Sequence, residues 1–215
     1  MFPASRNSRR PASEKIRAVL STLVRQFRCR LGGISPAQDL RGYRLVFAIE
    51  CIANQNARDG GAAQSPCAQI ETLEILLEHN VGIAQIPCPE MACLGLARAR
   101  PAGTSIRAAL LRPEAQASCR HLVQQTIERL QDYRDHGVQV LAILGGNAAS
   151  PACAVHGSGD PLWPAALSKD SGIFMQALAG AIAERAIDVP FRGIRDAEAG
   201  ALADDLSWLR ARVSR

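Results

Sequence analysis

The chain has 215 residues, of which 47% are hydrophobic and 21% are charged. This length is enough for one α/β domain with a sizeable core, and these proportions are those of an ordinary globular protein. No apolar run approaches the ~20 residues of a membrane-spanning helix, so we expect no membrane partner. The net charge of +5 comes largely from the segment before the first strand, and only 4% of residues are aromatic, so we expect no nucleic acid polymer as a partner.

The first 42 residues are predicted to be a basic N-terminal extension. Residues 1–14 are rich in Arg, Ser and Pro, which is typical of a disordered start. Ile16–Arg30 has apolar residues on one side, as an amphipathic helix does, and the glycines and proline of Leu31–Gly42 indicate a linker. The domain proper is therefore predicted to span residues 43–215.

From Tyr43 onward, strand-like apolar runs alternate with helical segments. The predicted strands are Leu45–Ile49, Val81–Ile86, Val138–Leu144 and Asp188–Ile194, and the predicted helices are Ile70–Asn80, Pro113–His136, Gly172–Ala186 and Ala197–Arg212. This alternation is typical of βαβ units, so we predict a three-layer α/β/α fold with a mainly parallel sheet, Rossmann-like or flavodoxin-like. Gly137 is placed to end the second helix in a left-handed conformation.

Three of the seven cysteines come after predicted strands, namely Cys51, Cys88 and Cys153. Ligands of open parallel sheets bind beyond the carboxyl ends of the strands, so these three thiols could converge on one crevice. Convergent thiolates bind soft metal centres, and three ligands on a cubane iron–sulfur cluster would leave one iron open. An odd number of scattered cysteines is unlike a secreted disulfide framework, which favours a cytoplasmic location.

The segment Ile86-Pro87-Cys88-Pro89-Glu90 is the tightest local motif. Prolines on both sides of Cys88 restrict the backbone, so the thiol and the following carboxylate leave the strand in a defined direction. Beside a metal centre, Glu90 could activate water or carry a proton, and it is a candidate catalytic residue. The alternative is an ordinary structural turn.

A glycine pair, Gly145-Gly146, comes after the third strand and leads to Ser150 and Cys153. Gly146 allows a ligand to approach the backbone, and the Ser150 hydroxyl could orient a substrate or water. No dinucleotide-binding or P-loop glycine pattern occurs in the sequence, and a glycine pair is also common at plain turns.

After Cys51 the chain continues as Ile52-Ala53-Asn54-Gln55-Asn56. The side-chain amides of Asn54 and Asn56 could bind the edge of a heterocyclic substrate. Asn is also frequent in turns that bind nothing, so turn formation is the alternative.

Together these motifs resemble those of the desulfidases related to 2-thiouracil desulfurase. The resemblance covers roughly residues 43–193 and includes Gly172-Ile173-Phe174 and Val189-Pro190-Phe191-Arg192-Gly193. It implies a 4Fe-4S cluster held by Cys51, Cys88 and Cys153, whose open iron binds the sulfur of a small thiolated substrate such as a thiouracil. Sulfur would then leave as sulfide. From their positions in the sequence, Glu90 is the candidate catalytic residue for proton transfer and Ser150 is the candidate for orienting substrate or water.

The third motif departs from this family, because Ala152 and Ala154 stand where a Ser and a Gly are usual. A relative that keeps the cluster but has another substrate or no activity therefore stays open. Three further alternatives also stay open: a redox-sensing or structural cluster protein, a metal-free nucleotide-binding protein, and a nucleophilic pair of Cys153 with His156. A homodimer is also left open.

Overall fold

The structure is a computed structural model that describes residues 39–157 and 167–214. The N-terminal extension predicted for residues 1–42, with its disordered start and its helix over Ile16–Arg30, lies outside the described residues except for its last four positions. All of the strands and helices reported below belong to the segment 42–215.

The described residues form four strands, seven α-helices and one short 3-10 helix. The strands are β1 (Arg44–Ile49), β2 (Gly82–Ile86), β3 (Gln139–Gly145) and β4 (Phe191–Gly193). The helices are α1 (Glu50–Ala53), α2 (Ile70–Glu78), α3 (Pro89–Leu94), α4 (Ile106–Leu110), α5 (Pro113–Asp135), α6 (Ile173–Ala183) and α7 (Ala199–Val213), and the 3-10 helix is Gln55–Ala57.

The four strands form one sheet in the order β2-β1-β3-β4, and every pairing is parallel. This confirms the predicted α/β class with a parallel sheet, and the strand order is that of the flavodoxin-like arrangement. Its register aligns Ile49 with Ile86 and Ala48 with Leu144. The carboxyl ends of β1, β2 and β3 are therefore level, and the point where the strand order reverses lies between β1 and β3.

Helices cover both faces of the sheet, with α2 in contact with α7 and α5 in contact with α6. The longest helix, α5, buries Val123, Ile127 and Leu130 on one side, and Gly137 comes after it with φ 80°, as predicted. In the part of the chain that the structure describes, no helix is both long and apolar enough to cross a bilayer.

The short elements at the strand ends differ from the prediction. Helices α1 and α3 begin directly after β1 and the Cys88 turn, but four and six residues are too few for a periodic pattern. The fourth strand is shorter than the predicted Asp188–Ile194, because Pro190 has no N–H to donate to a ladder. Its carbonyl still accepts a bond from Ile143 N at 2.9 Å.

Candidate functional site

A cavity of about 360 Å³ lies beyond the carboxyl ends of β1, β2 and β3. Its lining includes Cys51, Cys88, Cys153, Glu90 and Ser150. The fold therefore brings together on one cavity the three predicted metal ligands and the two predicted catalytic residues. This is the crevice at which open parallel sheets bind their ligands.

Each of the three thiols is buried and comes from a different strand end. Cys51 lies in α1, Cys88 is the residue before α3, and Cys153 lies in the loop after β3; their exposed fractions are 7%, 8% and 5%. Cys51 and Cys153 converge on the backbone of Gly146. A Cβ atom at that position would lie 2.6 Å from Cys153 Sγ and 3.9 Å from Cys51 Sγ.

Burial makes all three thiols harder to ionise in the absence of metal. It raises the pKa of Cys51 to about 11, and it also raises the pKa values of Cys88 and Cys153. The mutual repulsion of the thiolates adds to this, because the charge of Cys51 raises the pKa of Cys153. Metal binding by these residues would therefore release protons.

Glu90 and Ser150 form a hydrogen-bonded pair at the cavity wall. Ser150 Oγ donates to Glu90 Oε1 at 3.1 Å, and it accepts from Cys153 N at 3.1 Å. The same oxygen lies 3.1 Å from Cys153 Sγ. Ser150 thus links the carboxylate to one of the cysteines, and Glu90 is itself only 8% exposed.

Glu50 joins the first two cysteine segments. It is 8% exposed, and its Oε2 accepts a hydrogen bond from Cys88 N at 2.8 Å. From sequence, this side chain could have faced inward or outward. Because Glu50 directly precedes Cys51, its carboxylate ties the end of β1 to the end of β2.

Of the three predicted substrate-binding residues, Gly146 lies against the cysteine sulfurs, whereas Asn54 and Asn56 lie in the segment that follows α1. Gly146 lies under the Cys51 and Cys153 sulfurs and donates its N–H to Cys153 O at 2.9 Å. Asn54 is not among the described residues that line the cavity; its side chain accepts from Asn56 N and donates to Glu50 Oε1 at 3.4 Å. Asn56 is exposed and donates to Asn54 Oδ1 at 3.1 Å. Substrate binding by these three residues stays a prediction.

Two arginines that sequence reasoning did not single out line the same cavity. Arg98 Nη2 lies 3.4 Å from Cys88 Sγ, and Arg58 Nη2 lies 3.9 Å from Cys51 Sγ. The only local signal for Arg58 is its place in the loop after Cys51. Nothing in the sequence distinguishes the buried Arg98 from the exposed Arg100 two residues later.

The altered third motif fits the backbone without strain. Ala152 and Ala154 are each 1% exposed, and the non-glycine residues with left-handed φ in the described chain are Tyr43, Asn80, Arg98 and Ala186. Ala154 therefore needs no glycine freedom. His156 Nε2 lies 2.9 Å from the carbonyl of Ala148, and this contact gives no support to a His156 base for Cys153.

The donor set is compatible with the cluster that the resemblance implies. Within the described residues, no group of three or more His, Cys, Asp or Glu side chains is arranged to hold a single metal ion. A cubane cluster makes a different demand, because each thiolate binds a separate iron. Three buried thiols around one cavity, with a glycine where a Cβ would contact two sulfurs, fit that demand.

Comparison with known proteins finds a distant relative. The chain is 31% identical over 104 residues to an uncharacterized protein of Methanocaldococcus jannaschii. The match covers 48% of this chain and 64% of the relative, which is less than two thirds of that protein's length. No protein-family model matches the chain, and no solved structure matches it.

Proposed function

We propose that the protein is an iron–sulfur-dependent desulfidase that removes sulfur from a small thiolated compound. The observation that carries this proposal is the meeting of Cys51, Cys88 and Cys153 with the Glu90–Ser150 pair on one cavity. The resemblance of the motifs around these residues to the desulfidases related to 2-thiouracil desulfurase supports the same chemistry. The reaction replaces a thiocarbonyl sulfur by the oxygen of water and releases hydrogen sulfide.

The cysteines would hold a 4Fe-4S cluster, which supplies a soft Lewis acid that attracts the thione sulfur and makes the attached carbon more electrophilic. Glu90 would accept a proton from the attacking water. Ser150 bonds to Glu90 Oε1 at 3.1 Å, while Arg98 Nε bonds to Oε2 at 3.3 Å. Both carboxylate oxygens are therefore held in place before substrate arrives.

The volume of the cavity limits the size of the substrate. A volume of about 360 Å³ suits a single heterocycle such as a thiolated nucleobase, and the proposal is of a small-molecule substrate rather than a nucleic acid polymer. A cytoplasmic location belongs to the same proposal, since reducing conditions keep thiols available for iron. Assembly as a homodimer is not required by the chemistry.

The test begins with the purified chain under anaerobic conditions. We expect about four irons and four acid-labile sulfides per chain, and release of sulfide from 2-thiouracil or a related thioamide. Serine in place of Cys51, Cys88 or Cys153 should abolish iron binding, whereas the matched substitution of exposed Cys67 should not. A chain that binds no iron would contradict the proposal.

The catalytic role of Glu90 is tested separately. Glu90→Gln keeps the side-chain size and should retain iron but lose sulfide release by about 10²-fold or more, the usual contribution of a general base. Glu128→Gln on the exposed face of α5 is the control. Full iron content without sulfide release from any thiolated compound, even in the unmodified chain, would instead favour a redox or structural cluster.

A further inference from the structure

Two of the three cysteines at the site are each contacted by a guanidinium group. Arg98 Nη2 reaches Cys88 Sγ at 3.4 Å, and Arg58 Nη2 reaches Cys51 Sγ at 3.9 Å. The third, Cys153, has the neutral Ser150 hydroxyl at 3.1 Å instead. Hydrogen bonds from a cation to an anionic sulfur are stronger than those from a neutral donor. The thiolates of Cys51 and Cys88 are therefore stabilised more strongly than that of Cys153.

Arg98 is held rigidly in the protein interior. It is 1% exposed, and its guanidinium donates to Ala57 O at 2.6 Å, Leu96 O at 2.9 Å and Glu90 Oε2 at 3.3 Å. Its φ of 49° is in the left-handed region, which is costly for a residue with a long side chain. A strained backbone conformation persists where surrounding contacts compensate for its cost. At Arg98 these contacts hold a buried cation against Cys88 and Glu90.

Arg58 is the outer counterpart of Arg98. Its side chain is 10% exposed and forms an ion pair of 2.5 Å with Asp196, whose side chain is 4% exposed. Its Nη1 donates to Ala62 O at 3.0 Å, so the guanidinium is fixed between this carbonyl, Asp196 and Cys51. Each arginine at the site therefore has a carboxylate partner beside it.

We propose that Arg58 and Arg98 are positioning residues that raise the reduction potential of the iron–sulfur group held by the three cysteines. This inference rests on the proposed function. A fixed positive charge a few ångströms from a thiolate ligand favours the state with one more electron, and the effect is large where water is excluded. Glu90 and Asp196 act in the opposite direction, because a negative charge disfavours that electron.

This arrangement predicts changes of opposite sign at neighbouring residues. Arg98→Gln and Arg58→Gln should lower the midpoint potential, whereas Glu90→Gln and Asp196→Asn should raise it. Arg98→Gln should have the larger effect of the two arginine changes, because Arg98 is closer to its sulfur and more buried. If these side chains had only a structural role, the arginine and carboxylate variants would not shift the midpoint potential in opposite directions.

The experiment is an anaerobic spectroelectrochemical titration of the iron-loaded full chain and these four variants, with iron content measured on each sample. Arg134→Gln is the matched control, since Arg134 is exposed in the last turn of α5 and is not among the described residues that line the cavity. Its midpoint potential should equal that of the unmodified chain. Arg98→Lys keeps the charge and should restore part of the potential lost in Arg98→Gln.

The outcomes separate this inference from the proposed function. An unmodified chain without iron overturns both. A fully loaded chain whose potential is unchanged in the arginine variants overturns the inference alone, and so does a shift of the same sign in all four. If Arg98→Gln does not fold or load, Arg58→Gln and Asp196→Asn decide the question, because the Arg58 side chain is 10% exposed whereas that of Arg98 is 1% exposed.

Discussion

At the residue scale, the site depends on Gly146, because any side chain at this position would collide with a cysteine sulfur. Gly146 has an ordinary backbone conformation, so the reason for glycine there is space rather than φ. A Cβ atom would come within 2.6 Å of Cys153 Sγ, closer than real contacts allow, while Cys153 is only 5% exposed and has little room to move. Gly146, the residue after β3, therefore sets where the sulfur of Cys153 can lie.

We expect Gly146→Ala to displace Cys153 and to reduce iron binding severalfold while the fold is retained. Iron per chain after anaerobic reconstitution measures the first effect, and circular dichroism checks the second. Gly180→Ala is the control, because a Cβ at Gly180 meets nothing within 4 Å and an alanine inside α6 should stabilise the chain by up to about 1 kcal/mol. Full iron content in Gly146→Ala would show that the sulfur can move without cost.

At the scale of elements, β4 and α7 are joined by one buried carboxylate. Asp205 in α7 is 0% exposed; it accepts from Arg192 Nε at 2.7 Å and from Arg195 Nη2 at 2.6 Å. It also accepts from Arg195 N at 2.9 Å. Because Asp196 is the residue after Arg195, this anchor holds the loop that pairs with Arg58.

Asp205→Asn should lower the free energy of unfolding by about 3 kcal/mol, since it removes the charge partner of two arginines at a buried position. Urea unfolding of the metal-free chain measures this change. The neighbouring Asp204 is exposed, so Asp204→Asn should stay within about 0.5 kcal/mol of the unmodified chain. Equal effects of the two substitutions would contradict the anchor role of Asp205.

At the scale of the whole molecule, the site joins three parts of the chain that are far apart in sequence. Cys51, Cys88 and Cys153 meet only when β1, β2 and β3 are paired, and Glu50 and Arg98 add bonds between these segments. A group bound by all three cysteines therefore binds the folded chain and not the unfolded one. Binding and folding are coupled by mass action.

The proposed function thus predicts that iron loading raises the unfolding temperature. A stabilisation of about 3 kcal/mol, expected when the ligand stands at a hundred times its dissociation constant, corresponds to roughly 5–10 °C for a domain of this size. Anaerobic thermal unfolding of loaded and metal-free samples measures the difference. The Cys51→Ser variant should show no such increase, and an equal increase in that variant would place the iron elsewhere.

Much of the fold can be predicted from local patterns. The apolar runs before Cys51, Cys88 and Cys153 predict β1, β2 and β3 within one residue at each end. For the two central strands, β1 and β3, the reason is that a strand buried on both faces has a nearly continuous apolar sequence. The spacing of Val123, Ile127 and Leu130 likewise predicts α5. Cys51 and Cys88 converge because parallel strands with level carboxyl ends place the residues that follow them at one edge of the sheet. Cys153 lies further along the loop after β3, and the hydrogen bond from Gly146 N to Cys153 O at 2.9 Å brings it back to the same edge.

The sequence by itself determined the α/β class, the strand-end cysteines and the adjacent Glu90 and Ser150, because these depend on short-range periodicity and on the residues next to each strand end. Only the tertiary structure decided that Arg98 is buried against Cys88 while Arg100 is exposed, and that Glu50 turns inward to the Cys88 amide. The reason is physical. A charged side chain is buried only where distant parts of the chain supply its partners, and those partners are set by packing rather than by neighbours in sequence.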